Sequence, residues 1–260
     1  MNPLEGLSAE IEHLLHSLTS QELWGPITTY TPFIILILVL VLVIVFAAKH
    51  QLSEVPKNRF VGVVEFFVDF TRNDIGFGVL GPSARKHIPF FLTLFIFILL
   101  ANLVGIIPGS KAATGVMSTT LALTIISFIY FTYHGIKHHG VGRYILSYAP
   151  PGLAPPLAAF IWLLEFFSMI LRLLTLSVRL FANIFAGHIL LGVLAILTTL
   201  FITPLIQAIS LESAGFALVS LLWLVLLTVL YALEIFVAVV QAYVFTLLSS
   251  VYVMLATTEH

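Results

Sequence analysis

The chain contains no cysteine, which removes disulfides, thiol nucleophiles and thiolate metal sites from consideration. Charge is nearly as scarce. Only 9% of the 260 residues are Asp, Glu, Lys or Arg and 60% are hydrophobic, whereas a soluble domain carries about 25% charged residues. Such a composition belongs to a polytopic membrane protein. A net charge of −1 argues against a nucleic-acid partner, which needs a basic face to hold it. The opening residues MNPLEGLSAEIEHLLHSL have neither a basic stretch before an apolar core nor an Arg-rich amphipathic pattern, so no cleavable leader is expected. There is no GxxxxGK[ST] loop, and nucleotide chemistry is not expected on this chain. No internal repeat is visible, which weighs against an inverted-repeat transporter.

What the chain has instead is long uncharged runs. Residues 1–26 hold Glu5, Glu10, Glu12 and Glu22 without Lys or Arg, and read as an exposed N-terminal segment with one short helix. A first span covers 27–48, centred on FIILILVLVLVIVF, by length and hydropathy. Over 56–73, Phe60, Val63, Val64 and Phe67 recur at helical spacing opposite Glu65, Asp69 and Arg72. That is an amphipathic helix suited to the membrane interface. Gly76, Gly78, Gly81 and Pro82 mark a loop, and a second span follows over 89–108, with Asn102 its one strongly polar residue. A third span covers 112–133. The connection after it is read as a solvated loop, because His134, His138 and His139 have no carboxylate or cysteine at ligand spacing; no metal and no cofactor is expected.

Two stretches, 157–203 and 205–257, contain no proline and meet at Pro204, which is read as their turn. As helices each would measure about 70 Å against a hydrocarbon core of about 30 Å. The expected fold is therefore an all-α polytopic membrane protein, a single integral domain. It has about five membrane-crossing helices and one interfacial amphipathic helix, the last two crossings forming a long, steeply tilted hairpin. Lys49, Lys57, Arg59, Arg72, Arg85 and Lys86 precede the second span, and Lys137 and Arg143 follow the third. The positive-inside rule puts these loops on the cytoplasmic side, the N-terminus outside and the C-terminus cytoplasmic.

The last two helices carry ionisable residues at membrane depth, where each costs roughly 2.5–3.5 kcal/mol and marks a functional site by default. At about 100° per residue, Glu165, Ser168, Arg172, Thr175, Arg179 and Asn183 form one polar stripe. His188, nine residues beyond Arg179, points about 180° away. On the final helix Glu234, Gln241 and Tyr252 share a face to within about 20°. Antiparallel packing would bring Gln241 toward Arg179 and Glu234 toward His188, and a carboxylate beside an imidazole can relay protons. Arg179 differs, since with a pKa above about 12 it stays charged and blocks protons instead of passing them. Arg172 is read as an interfacial residue or a partner of Glu165. An uncompensated Arg179 implies an acidic partner at the same depth.

LTLSVRLFANIFAGHILL, followed by LEIFVAVVQAYVFTLLSSVY, resembles subunit a of the F-type ATP synthase family; the NPLE opening, VEFFVDF, PFFLTLFIFILLANLVGIIPG and YHGIK extend the match along most of the chain. The resemblance implies a proton-translocating stator subunit with no catalytic chemistry of its own. Its partners would be a ring of c subunits with a carboxylate opposite Arg179, the peripheral stalk b subunits, the remainder of the complex and the lipid bilayer. It implies that Arg179 separates two half-channels, with Asn183 near the same interface and Gln241 packed beside the arginine. His188 and Glu234 match the acid/imidazole pair of the half-channel open to the positive side, which Asn102 also lines. Glu165 matches the carboxylate of the other half-channel, and Tyr252 a tyrosine near the end of the last helix. The chain departs from the pattern at Leu173, where many relatives have proline and a kink, and at Gly105, where some have an acid. A bacterial plasma membrane is the expected location, with the mitochondrial inner membrane as the alternative. The competing reading is a self-contained secondary transporter or channel in which Arg179 binds an anionic solute; a structural scaffold, whose polar stripes would tolerate apolar substitution, is the third.

Overall fold

The structure, a computed structural model, describes residues 7–18, 22–24, 27–51, 59–146, 155–207 and 211–258. It opens with helix α1 (Leu7–Leu18), followed by a minimal antiparallel ribbon, β1 (Glu22–Trp24) and β2 (Ile27–Thr28). Helices α2 (Thr31–Gln51) and α3 (Arg59–Phe70) come next. A π-helical segment (Thr71–Phe77), the single turn α4 (Gly78–Leu80) and a 3₁₀ segment (Gly81–Lys86) lead into α5 (Ile88–Ile106). Then α6 (Met117–His139), α7 (Val141–Leu146), α8 (Pro155–Gln207) and α9 (Leu211–Thr257) complete the chain. The fold is all-α, apart from the short ribbon.

Among the described residues, four stretches are long and apolar enough to cross a bilayer: Ile88–Ile106, Met117–His139, Pro155–Pro204 and Gly215–Thr257. A shorter apolar stretch, Thr31–Phe46, lies in α2. Each of the two long stretches is one continuous helix, and α8, at 53 residues, is about 80 Å long. A helix of that length exceeds the hydrocarbon core by more than a factor of two unless it leans strongly. Continuity through Leu173 follows from its normal backbone N–H, and its side chain packs into a cluster with Phe91, Phe131 and Val253.

Several local features differ from the pattern read in the sequence. Pro204 lies inside α8, which runs on to Gln207. A proline removes only its own N–H bond and crowds the preceding turn, so the helix can continue a few residues beyond it; residues 208–210, which join α8 to α9, lie outside the described residues. Residues 76–80 are helical, not a loop, and the chain breaks at Gly81, whose φ of +59° few other residues adopt. α6 begins five residues later than 112, after Val116 in extended conformation, and continues through His134, His138 and His139 to Gly140, at φ +79°. α1 is docked: a Cβ on Gly192 of α8 would occupy the space held by Leu14. The residues 52–58, where the interfacial helix was expected to begin, lie outside the described residues.

α5 is the central helix. Phe91, Phe95, Ile98, Ala101 and Asn102 are fully buried in it, and it packs on α2, the π-helical segment and α9. α8 turns Leu176, Leu180, Ile184, Leu191 and Leu194 inward at steps of three, four and seven, the spacing of one helix face. In lipid the apolar surroundings give little drive for helices to associate, so small residues and interhelical hydrogen bonds hold them. Ser127 Oγ donates to Ser249 Oγ at 2.9 Å, joining α6 to α9, and Ser177 Oγ donates to Thr120 Oγ1 at 3.0 Å, joining α8 to α6. Outward apolar residues such as Leu222, Phe236 and Ile129 then face lipid or partners.

Candidate functional site

Two contacts set the register of the long helices. Ser220 Oγ donates to the Thr198 carbonyl at 3.0 Å, and the Glu234 carboxylate lies against Gly187 in the space a Cβ would take. Both helices rise about 1.5 Å per residue. Two turns back along α8 from Gly187 lies Arg179, and two turns on along α9 from Glu234 lies Gln241, so antiparallel pairing brings them level.

Arg179 is exposed on the outer face of α8, among exposed Leu171, Leu174 and Val178, while Leu176 and Leu180 turn inward. Among the described residues the one ion pair joins Arg172 Nη2 to Glu165 Oε1 at 3.1 Å, and no carboxylate reaches Arg179. The lower stripe residues are thus matched with each other. The Tyr252 ring packs on Phe131 with centroids 5.8 Å apart. Asn183 Nδ2 and Gln241 Nε2 are both shielded from solvent with no hydrogen-bond partner among the described residues. A buried unsatisfied amide costs about 1–3 kcal/mol, which is the signature of a group awaiting a partner or water.

Glu234 is buried, 8% exposed, and its carboxylate abuts the residue immediately before His188. Glu234 and His188 are neighbours across the helix pair, yet no hydrogen bond joins them among the described residues. His188 opens instead into a cavity of about 20 Å³ lined by Tyr30, Ser110, Lys111, Ala112, Gly115 and Phe185, a volume that holds about one water. The Lys111 ammonium there donates to Thr29 Oγ1 at 3.0 Å and sits 5.2 Å from the centroid of Tyr30.

Asn102 is fully buried. Its Nδ2 donates to the Ala238 carbonyl at 3.3 Å and its Oδ1 accepts from Thr114 Oγ1 at 2.7 Å. Ala238 lies between Glu234 and Gln241, so Asn102 ties α5 to the very face of α9 that carries them. Gly105, one turn on, packs directly against Ala112, and a Cβ there would collide with it; an acidic side chain at this position has no room.

Reading the sequence alone missed Gly187, Thr114, Ser177 and the cavity around Lys111. Gly187 carries the clearest signal, being a glycine inside a helix where it costs about 1 kcal/mol relative to alanine; such a residue has a packing reason.

Residues 30–254 match the family model for the ATP synthase A chain. The chain is 34% identical over 200 residues to ATP synthase subunit a of Chlorobium phaeobacteroides, covering 77% of this chain and 55% of that protein. It is 34% identical over 223 residues to ATP synthase subunit a of Chloroherpeton thalassium, covering 83% and 62%. The chain therefore spans little more than half the length of these two relatives. With ATP synthase subunit a of Ehrlichia canis it shares 32% identity over 238 residues, covering 90% of this chain and 89% of the relative. A match that runs through α2 to α9, and holds the residues gathered on α8 and α9, makes this integral membrane protein a member of the ATP synthase A chain family.

Proposed function

We propose that the chain is the proton-translocating stator subunit of an ATP synthase membrane sector. It works against a ring of c subunits and couples proton flow to ring rotation and ATP synthesis. One observation carries this reading: Arg179 stands exposed among apolar side chains of α8 such as Leu171, Leu174 and Val178, with no carboxylate among the described residues to meet it. Left against lipid, that charge costs several kcal/mol. A partner presenting a carboxylate at the same depth neutralises it, and a ring of identical subunits presents one after another.

A proton approaches from the positive side through the cavity at His188 and reaches Glu234, which hands it to a ring carboxylate. Neutralised, the ring site can move into lipid. After nearly a full turn it meets the second half-channel, beside Glu165 and Arg172, where the field of Arg179 favours the ionised carboxylate and expels the proton. Asn183 and Gln241 bring buried amide groups, unmatched among the described residues, to the level of Arg179. Asn102 holds the wall of the first half-channel in register, and Tyr252 lies beside the second. A potential of 100 mV supplies about 2.3 kcal/mol per charge that crosses, which sets the direction of rotation. Phosphoryl chemistry resides on partner subunits, and the peripheral stalk b subunits hold this chain against the torque. The N-terminus is outside and the C-terminus cytoplasmic, in a bacterial plasma membrane.

The decisive test replaces the arginine. Arg179→Ala should bring ATP-driven proton pumping in membrane vesicles to background while the complex remains assembled. Unimpaired pumping would sink the proposal, and proton transport by the purified chain without a ring would move it to the self-contained transporter.

A further inference from the structure

We propose that the start of α5 and the end of α6 form a binding site for the phosphate of an anionic lipid headgroup. His87 is buried at the head of α5, 4% exposed. Its Nδ1 lies 2.9 Å from the Tyr130 hydroxyl, and its ring meets His134 edge-on, with centroids 4.6 Å apart. Tyr130 is stacked flat on Phe90 at 3.7 Å and lies 4.6 Å from His134. An aromatic frame therefore holds His134 in place at the edge of the bundle.

The charges around this frame are of one sign. Lys86 acts on both imidazoles and Lys137 acts on His134; every charged group acting on the pair is basic. Burial first, and then His134 and Lys86, bring the His87 pKa down to about 4. The buried imidazole is therefore neutral at physiological pH and adds no further positive charge. Lys86 and Lys137 are exposed. Neither ammonium is in an ion pair among the described residues, so like charges gathered around one pair of imidazoles leave a place for an anion.

What selects a lipid over free phosphate is the face of α6 below the cations. Lys137, Tyr133, Ile129, Ile126 and Ile125 fall at steps of four, four, three and one, and all five are exposed. Along that face the order is cation, amphipathic aromatic, then an apolar track running into the span, with the Lys137 ammonium 5.9 Å from the Tyr133 centroid. A tyrosine at headgroup level with an acyl-sized apolar stripe beneath it matches the layers of a bilayer leaflet. Basic clusters between helices at that depth attract anionic headgroups.

The test uses the full chain in phosphatidylcholine nanodiscs containing a phosphatidylglycerol with a photoreactive acyl chain. Labelling is expected on residues 125–137. Lys86→Gln with Lys137→Gln should weaken it about 25-fold, roughly fivefold for each basic residue, whereas Lys86→Arg with Lys137→Arg should preserve it. Unlabelled phosphatidylglycerol should compete and inorganic phosphate at the same concentration should not. Unchanged labelling in the glutamine variant, loss in the arginine variant, an equal fall in Arg59→Gln, or equal competition by phosphate would each overturn the proposal.

Discussion

Glu234 and His188 illustrate how one small residue sets the chemistry of two large ones. Gly187 has no side chain, and the Glu234 carboxylate fills the vacated space, so the acid stops beside His188 without bonding it. The imidazole keeps its own access to the cavity. If the carboxylate is a proton carrier, Glu234→Gln preserves shape and hydrogen bonding while removing the titratable group. Proton flux through the assembled complex should fall on the order of 100-fold, the low end for a positioned proton-transfer group. Normal flux at every pH in a vesicle fluorescence-quench assay would take Glu234 out of the path.

At the level of elements, α5 is held at both ends by polar contacts. Toward its C-terminal end Asn102 bonds α9 and Thr114. Asn102→Leu keeps the volume but leaves the Thr114 hydroxyl unpaired in a dry site, and should lower unfolding stability in micelles by about 1–3 kcal/mol. A denaturant midpoint equal to that of the unsubstituted chain would refute that account. At the other end His87 stays neutral in the fold, with a pKa of about 4 against an ordinary 6.5. The unfolded chain binds the proton first, so the contribution of His87 is whole above pH about 6.5 and is lost progressively as pH falls toward 4. Tyr130, His134 and Lys86 all face it, and none supplies the negative charge that would reverse the sign. Thermal unfolding should therefore show a steeper loss between pH 7 and 4.5 for the unsubstituted chain than for His87→Phe; parallel profiles would count against it.

The whole molecule presents a face in which Arg179 is set among apolar side chains of α8, beside the outward residues of α9. Because the chain has no cysteine, single cysteines report on that face without background. Cysteines at Thr175 and Ala182, both exposed and about one turn either side of Arg179, should cross-link to a ring subunit in the assembled complex, and Ile129→Cys on α6 should not. Equal cross-linking at all three positions would mean that the ring does not sit on this face. On that face Arg179 is the residue most costly to leave against lipid, and no carboxylate among the described residues meets it.

The spans and the polar stripe of α8 were legible because hydropathy and the 3.6-residue period are local properties, written in neighbouring residues. Arg179 was legible for the same reason, since nothing within its own run could offset its charge. The pairing of Arg172 with Glu165 was open in the sequence, because one helix face allows it and an interface allows the alternative. Tertiary structure decided what depends on distant segments meeting. Leu14 seats on Gly192, Asn102 reaches Ala238 across 136 residues, and the Glu234 carboxylate stops at Gly187 instead of bonding His188. No periodicity encodes these contacts, since each is a question of which surfaces are close enough to exclude a single methyl group. The sequence by itself determined the solvent and the charge of this protein; packing alone decided which of its polar groups are satisfied and which are left unmatched among the described residues.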